Sequence, residues 1–316
     1  MTSIKRNLKC FFCNTNNFGY YDKYYYGKRL DIKYIFKCNN CNLKQVDFIP
    51  SNEKLKSFYG DLSTQLLINL EKNHDKIKYS FNQFDSFLKF IISKTKLNTE
   101  VPKKIIDIGA GNGRTLLQIK NLTRWDFIGI EPDNTKCKVL EYFNLRYLND
   151  TFQNIKNKLN DNHYDLIIMS QVLEHISNPG EILNEIYNKL NQNGYLWIDV
   201  PLCNKNYFEK RIIDDVGHLY FFDEKSLYQI LEKYKFSVIS FGSYGKNILP
   251  NRNVISSLLL YIKYFLHRYS PIKLLNLKKK IFHKNQNVKR INFEDIYKNN
   301  NQTIEEKNFK NSKLFF

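Results

Sequence analysis

Lys104-Ile105-Ile106-Asp107-Ile108-Gly109-Ala110-Gly111-Asn112-Gly113 runs from a short apolar strand into a glycine loop, and Thr115 to Ile119 follows as the start of a helix. That order, strand then glycines then helix, gives a Gly-rich loop its meaning. Gly109 permits the turn, and Gly111 and Gly113 let a ligand come close to the backbone amides at the helix start. Alone, the loop suits two ligands, because a dinucleotide-binding loop also follows the first strand and has an acid about 20 residues further on. Glu131, which ends the second strand Phe127-Ile128-Gly129-Ile130, fits either, since a carboxylate there accepts from both hydroxyls of a ribose. Two features separate them. The third glycine falls at Gly113 with Arg114 behind it, which breaks the G-x-G-x-x-G pattern. Asp107, two residues ahead of the first glycine, would repel a pyrophosphate but suits a cationic sulfonium amino acid.

Downstream, strands and helices alternate. Asn134 to Phe143 reads as a helix and Leu145 to Leu148 as a weak strand, before the apolar strand Asp165 to Met169. Asn178-Pro179-Gly180-Glu181 opens a helix, with Asn as cap, Pro in the first turn and Glu at the third position. Gly194 to Val200 is a strand, Asp223 caps a helix through Leu231, and Phe236 to Phe241 is the last clear strand. Strands this apolar, separated by helices, imply a parallel sheet covered on both faces.

Taken in order, these segments resemble a class I S-adenosylmethionine-dependent methyltransferase. Ile105 to Gly113 is similar to its first motif and Glu131 to its ribose-binding acid. Asp165 to Met169 with Ser170-Gln171-Val172-Leu173-Glu174-His175 resembles its fourth-strand segment, and Leu190 to Leu196 its L-x-x-G-G-x-L turn, with Asn193 in place of the first glycine. The resemblance implies an α/β fold: a doubly wound, mostly parallel seven-stranded sheet of Rossmann-like form with the cofactor over the C-terminal strand edges. It also implies that S-adenosylmethionine is held by Asp107, Gly109, Gly111, Gly113 and Glu131, with Gln171 near the methionine portion. The seventh strand is not placed by the sequence.

Cys10 and Cys13, then Cys38 and Cys41, form two C-x-x-C pairs, while Cys137 and Cys203 stand alone. Each pair puts two thiolates on one side of a tight turn, and two turns complete the tetrahedron that Zn²⁺ prefers. Residues 1–50 are therefore expected to be a zinc ribbon whose long spacer, 14–37, is a β-rich excursion, and a site filled by four cysteines is structural. Residues 51–100 read as a helical linker, from Pro50-Ser51-x-Glu53 through Leu55, Phe58, Tyr59, Leu66, Leu67 and Leu70 to Phe87, Leu88 and Ile91. The methyltransferase domain spans 101–245, and 246–316 is a basic helical extension and tail.

The acceptor is suggested by a narrower resemblance. A four-Cys ribbon, Pro50-Ser51-x-Glu53-x-Leu55-x-x-Phe58-Tyr59, the methyltransferase core, and Gly217-His218-Leu219-Tyr220-Phe221-Phe222 before a helix are together similar to methyltransferases of bacterial surface-polysaccharide and deoxysugar pathways. The sugar C-methyltransferases among them carry a longer C-terminal domain, so the expected reaction is methyl transfer to a hydroxyl of a sugar, nucleotide-sugar or glycan. His218, in the irregular segment after the fifth strand, is the expected general base, because an imidazole titrating near pH 6.5 can take a hydroxyl proton at neutral pH. Glu174 and His175 are read first as residues that shape the cofactor pocket.

Composition weighs on the alternatives. The 49 Lys+Arg against 31 Asp+Glu give a formal charge of +18, but the excess accompanies heavy use of Asn, Ile, Tyr and Phe along the whole chain. It is read as a solvated surface, which makes nucleic acid the secondary partner: an RNA base methyltransferase with a zinc finger would explain charge and ribbon together. A non-catalytic zinc-dependent assembly module is the third reading, and the intact glycine loop argues against it. The stretch 254–266 is too short for the roughly 20 residues of a bilayer crossing, and 1–9 has no apolar core of a secretory signal. A cytoplasmic protein is expected, with peripheral membrane contact through 254–284 at the inner face, where Leu258, Leu259, Ile262 and Phe265 lie among basic residues.

Overall fold

The computed structural model describes residues 8–26, 31–47, 49, 51, 85–203, 213–214, 217–241 and 313–315. The expectations for 52–84 and for 254–284 lie outside the described residues.

The N-terminal part is a β unit: β1 (Phe18–Tyr26), β2 (Asp31–Cys38) and β3 (Lys44–Val46). β1 and β2 pair antiparallel from Phe18↔Cys38 to Tyr26↔Asp31, so the long spacer between the cysteine pairs is taken up by one extended hairpin. Helix α1 (Asp85–Thr95) ends the stretch read as helical, and its Leu88 and Ile91 are fully buried.

The part from residue 104 onward follows the expected alternation. β4 (Lys104–Ile108), α2 (Arg114–Leu122), β5 (Asp126–Ile130), α3 (Asn134–Tyr142) and β6 (Tyr147–Leu148) lead to a four-residue helix, α4 (Phe152–Ile155). Then come β7 (Tyr164–Ser170), α5 (Pro179–Lys189) and β8 (Leu190–Asp199). Five strands form a parallel sheet in the order β6-β5-β4-β7-β8. Ile106, Ile108, Ile167, Met169, Leu196 and Ile198 pack into one core, and Ile105, Leu166, Ile168 and Trp197 into another. Alternate residues of each strand thus serve opposite faces, which is why these strands read as unbroken apolar runs.

The short elements differ from the sequence reading. β8 starts at Leu190 rather than Gly194, with a register shift opposite Tyr164/Leu166. Gly194 is needed because a Cβ there would lie 2.7 Å from the Tyr164 carbonyl oxygen. Two two-residue strands, β9 (Ile213–Asp214) and β10 (Tyr220–Phe221), precede α6 (Glu224–Lys233), whose Asp223 cap is reciprocated by Ser226. β11 stops at Val238 rather than Phe241, and runs parallel to β12 (Lys313–Phe315), which in turn lies parallel to β8.

β9 pairs with β1 and β10 pairs with β3, so the N-terminal unit shares a sheet with the segment that follows β8. It also shares a core, because Cys10, Ile35, Cys38, Leu43 and Val46 pack in the cluster that holds Met169, Leu219 and Phe222. No helix among the described residues is long and apolar enough to cross a membrane.

Candidate active site

The chain order of the parallel strands reverses at β4, with β5 on one side and β7 on the other, and the crevice outside the carboxyl ends at such a point is where α/β sheets bind ligands. The ends of β4, β5 and β7 deliver the glycine loop, Glu131 and Gln171 to one cavity, walled by Gly109, Glu131, Pro132, Asp150, Gln171 and His175.

The three loop glycines have different duties. All take left-handed backbone, with φ of 72°, 57° and 75° at Gly109, Gly111 and Gly113. A Cβ at Gly109 would meet Val172 Cγ2 at 2.4 Å, and one at Gly113 would meet Leu140 Cδ2 at 2.4 Å and Leu145 Cδ1 at 2.5 Å. These two glycines lock the loop to its neighbours. Only Gly111 faces open space, its nearest contact being the Gly109 carbonyl at 3.9 Å. Gly113, expected to admit a ligand, is thus required by packing.

Glu131 is buried and fixed by two amides: Gly111 N donates to Oε2 at 2.7 Å and Asp133 N to Oε1 at 2.9 Å. Burial raises its pKa, opposed by the Lys136 ammonium 3.9 Å away and by these amides. Each carboxylate oxygen retains a lone pair, so a ribose diol can be accepted without disturbing the loop. Gln171 is held at φ 56° with its side chain donating to Asp199 Oδ1 at 2.7 Å.

Asp107 is also buried, and its pKa is pushed up to about 8 by burial, with Glu131 and Asp199 adding like charge. The folded protein therefore keeps this proton where the unfolded chain has lost it, and the contribution to stability falls as pH rises from the ordinary carboxyl range to about 8. A cationic ligand reverses the preference. Below pH 8, its binding is expected to release a proton and to strengthen as pH rises, which calorimetry in buffers of different ionisation enthalpy measures and Asp107→Asn removes.

On the other wall, the turn after β7 brings up Glu174 and His175, while left-handed Gly217 (φ 76°) presents His218. Glu174, His175 and His218 are 1%, 9% and 4% exposed. Glu174 Oε1 stands 3.8 Å from Nε2 of each histidine, and the two rings are 4.7 Å apart. His175 Nδ1 donates to the Gly217 carbonyl at 3.3 Å, and Leu219 N donates to the Glu174 carbonyl at 2.7 Å. His175 walls the cavity and His218 sits behind it, so the structure brings together residues that the sequence reading kept apart.

The four N-terminal cysteines also converge. Their Sγ atoms all lie within 4.8 Å of one another, with Cys10 and Cys41 at 3.5 Å and Cys13 and Cys38 at 3.4 Å. The turns are copies: Asn14 N donates to Cys10 O, Asn42 N to Cys38 O, and both asparagines are left-handed. An Asn directly after each C-x-x-C is the sequence signal for this pair of turns. Contact with Cys41 draws the Cys10 thiol down to about 5 and raises its partner, and burial pushes the Cys13 thiol up to about 11, so thiolate, the form that binds metal, is favoured at Cys10. Cys137 and Cys203 lie apart, each with its pKa pushed up to about 12 chiefly by burial. Asp150 and the short α4 were missed as a cavity wall, because a four-residue helix has no periodicity to read.

An open Gly111, the amide-bound Glu131 and the buried Asp107 thus stand together at the carboxyl ends of β4 and β5. The chain belongs to the family described as methyltransferase domain, whose model matches residues 78–240. It is similar to a tRNA U34 carboxymethyltransferase of Campylobacter fetus, 28% identical over 134 residues that make up 40% of this chain and 45% of the relative. The corresponding enzyme of Campylobacter hominis is 30% identical over 123 residues, 37% of this chain and 42% of the relative. The chain thus spans less than half the length of these curated relatives. Among solved structures, a SAM-dependent methyltransferase from Archaeoglobus fulgidus aligns with a TM-score of 0.47 at 19% identity, covering 68% of this chain and 93% of that one.

Proposed function

We propose that the chain methylates a hydroxyl oxygen of a sugar, nucleotide-sugar or glycan acceptor. The observation that carries the hydroxyl reading is the Glu174–His175–His218 cluster against the cofactor cavity. S-adenosylmethionine, when bound, supplies a methyl group on a sulfonium, an activated electrophile. Asp107, Gly109, Gly111, Gly113, Glu131 and Gln171 hold it. What remains for the chain is to orient the hydroxyl and take its proton, worth about 10²–10⁴-fold in rate. His218 takes that proton in this reading, with Glu174 beside it to stabilise the imidazolium. The four cysteines hold one structural Zn²⁺, and β11 with β12 complete a seven-stranded sheet.

The relatives' name favours a second acceptor, RNA, and the charge of +18 agrees with it. An assay of labelled methyl incorporation separates the two. Nucleotide-sugars and glycan intermediates are expected to be labelled, whereas label confined to RNA would move the acceptor to the second reading.

A further inference from the structure

We propose that Glu174, His175 and His218 form a second metal site, separate from the cysteine cluster, that takes one divalent transition-metal ion at the acceptor wall of the cavity. This rests on the reading that the acceptor hydroxyl approaches this cluster. One ligand atom from each of Glu174, His175 and His218 lies within 4.8 Å of the other two. Glu174 Oε1 stands 3.8 Å from each Nε2, too far for a hydrogen bond. Ligand atoms bound at about 2.0–2.2 Å to one ion stand roughly 3–3.6 Å apart, so each of the two 3.8 Å pairs needs to shorten by only a few tenths of an ångström.

The tautomer fits as well. A carbonyl oxygen only accepts, so the bond from His175 Nδ1 to Gly217 O fixes the proton on Nδ1 and turns the Nε2 lone pair toward Glu174. With Nδ1 held in this way, Nε2 can meet the Glu174 carboxylate either through a proton, as an imidazolium, or through a metal ion between them. A backbone carbonyl holding the outer nitrogen is also the usual support of a metal-bound histidine. Two imidazoles and one carboxylate suit zinc, iron, cobalt or nickel better than magnesium or calcium. His175 lines the cavity, which gives an ion and an acceptor oxygen access to otherwise buried ligands. With an ion in place, its charge would lower the pKa of the acceptor hydroxyl enough for the proton to pass to solvent water, and His175 and His218 would then act as ligands and not as the base.

The test is cobalt(II) titration of the full chain, followed by absorption and metal analysis. About two ions per chain are expected, one with intense thiolate-to-metal bands and one with only weak bands of nitrogen and oxygen ligands. Glu174→Gln and His218→Gln should each lose the second ion and keep the first, with S-adenosylmethionine binding retained as the check on folding. One ion in the unaltered protein, or two ions that survive both substitutions, overturns the proposal. The reading under it is tested separately. If only one ion binds but His218→Gln still abolishes methyl transfer, His218 is a metal-free base, whereas turnover that survives both substitutions removes the cluster from the reaction altogether.

Discussion

His218→Ala is expected to lower turnover at least about a hundredfold at saturating S-adenosylmethionine, with cofactor affinity held. The separation of the two effects follows from position. In the proposed reading the cofactor is held from the ends of β4, β5 and β7, through Asp107, Glu131 and Gln171, whereas His218 sits in the segment before β10, its ring 4.7 Å from that of His175. Its Nε2 is 3.8 Å from Glu174 Oε1, and the backbone beside it is pinned by Leu219 N donating to the Glu174 carbonyl. Removing the imidazole therefore deletes either the base or a metal ligand and leaves the glycine loop untouched. Steady-state rates with an identified acceptor and calorimetric titration of the cofactor give the two numbers, and turnover within tenfold of the unaltered enzyme would place proton removal elsewhere.

Cys38→Ser has the second large effect, on folding and turnover together. Cys38 is fully buried and ends β2, the strand that pairs with β3. A structural zinc site contributes about 10–16 kcal/mol to folding of a small domain, so, with zinc on the four cysteines as proposed, Cys38→Ser is expected to unmake the N-terminal β unit. The damage does not stop there. Val46 N donates to the Leu219 carbonyl, Tyr220 and Phe221 pair with Gln45 and Lys44, and Lys44 meets Asp223 at 3.1 Å. The ribbon edge is the template on which the His218 segment lies. Metal analysis should show one ion fewer, hydrogen exchange should speed up at Tyr220 and Phe221, and turnover should fall with it. Cofactor affinity should change little, because no ligand of that site stands on β1, β2 or β3. A protected ribbon in the absence of metal would contradict this.

The glycine loop, Glu131 and the paired cysteines were legible because each is a local pattern whose chemistry depends on spacing within a few residues. The strand β4 was read to the residue, and a parallel sheet covered on both faces follows from unbroken apolar runs such as Leu166 to Met169. Other features depend on long-range contact. Nothing in Lys44-Gln45-Val46 announces that its edge is completed by Tyr220-Phe221, since two-residue strands exist only through their partners. The meeting of Glu174, His175 and His218 likewise depends on how Gly217 turns the chain back onto the end of β7. The packing demand on Gly113 was not legible for the same reason, because Leu140 and Leu145, which exclude a side chain there, come from α3 and the turn after it.

The central claim, that this cavity binds S-adenosylmethionine through the glycine loop and Glu131, is tested most directly by calorimetric titration of the full chain and of Glu131→Ala with the cofactor. Removing a charged acceptor held at 2.7 Å and 2.9 Å by two amides deletes the partner of the ribose hydroxyls. A loss of roughly 1.5–3 kcal/mol is expected, which weakens the dissociation constant by about one to two orders of magnitude. An unchanged dissociation constant would put the cofactor elsewhere on the chain and contradict the account.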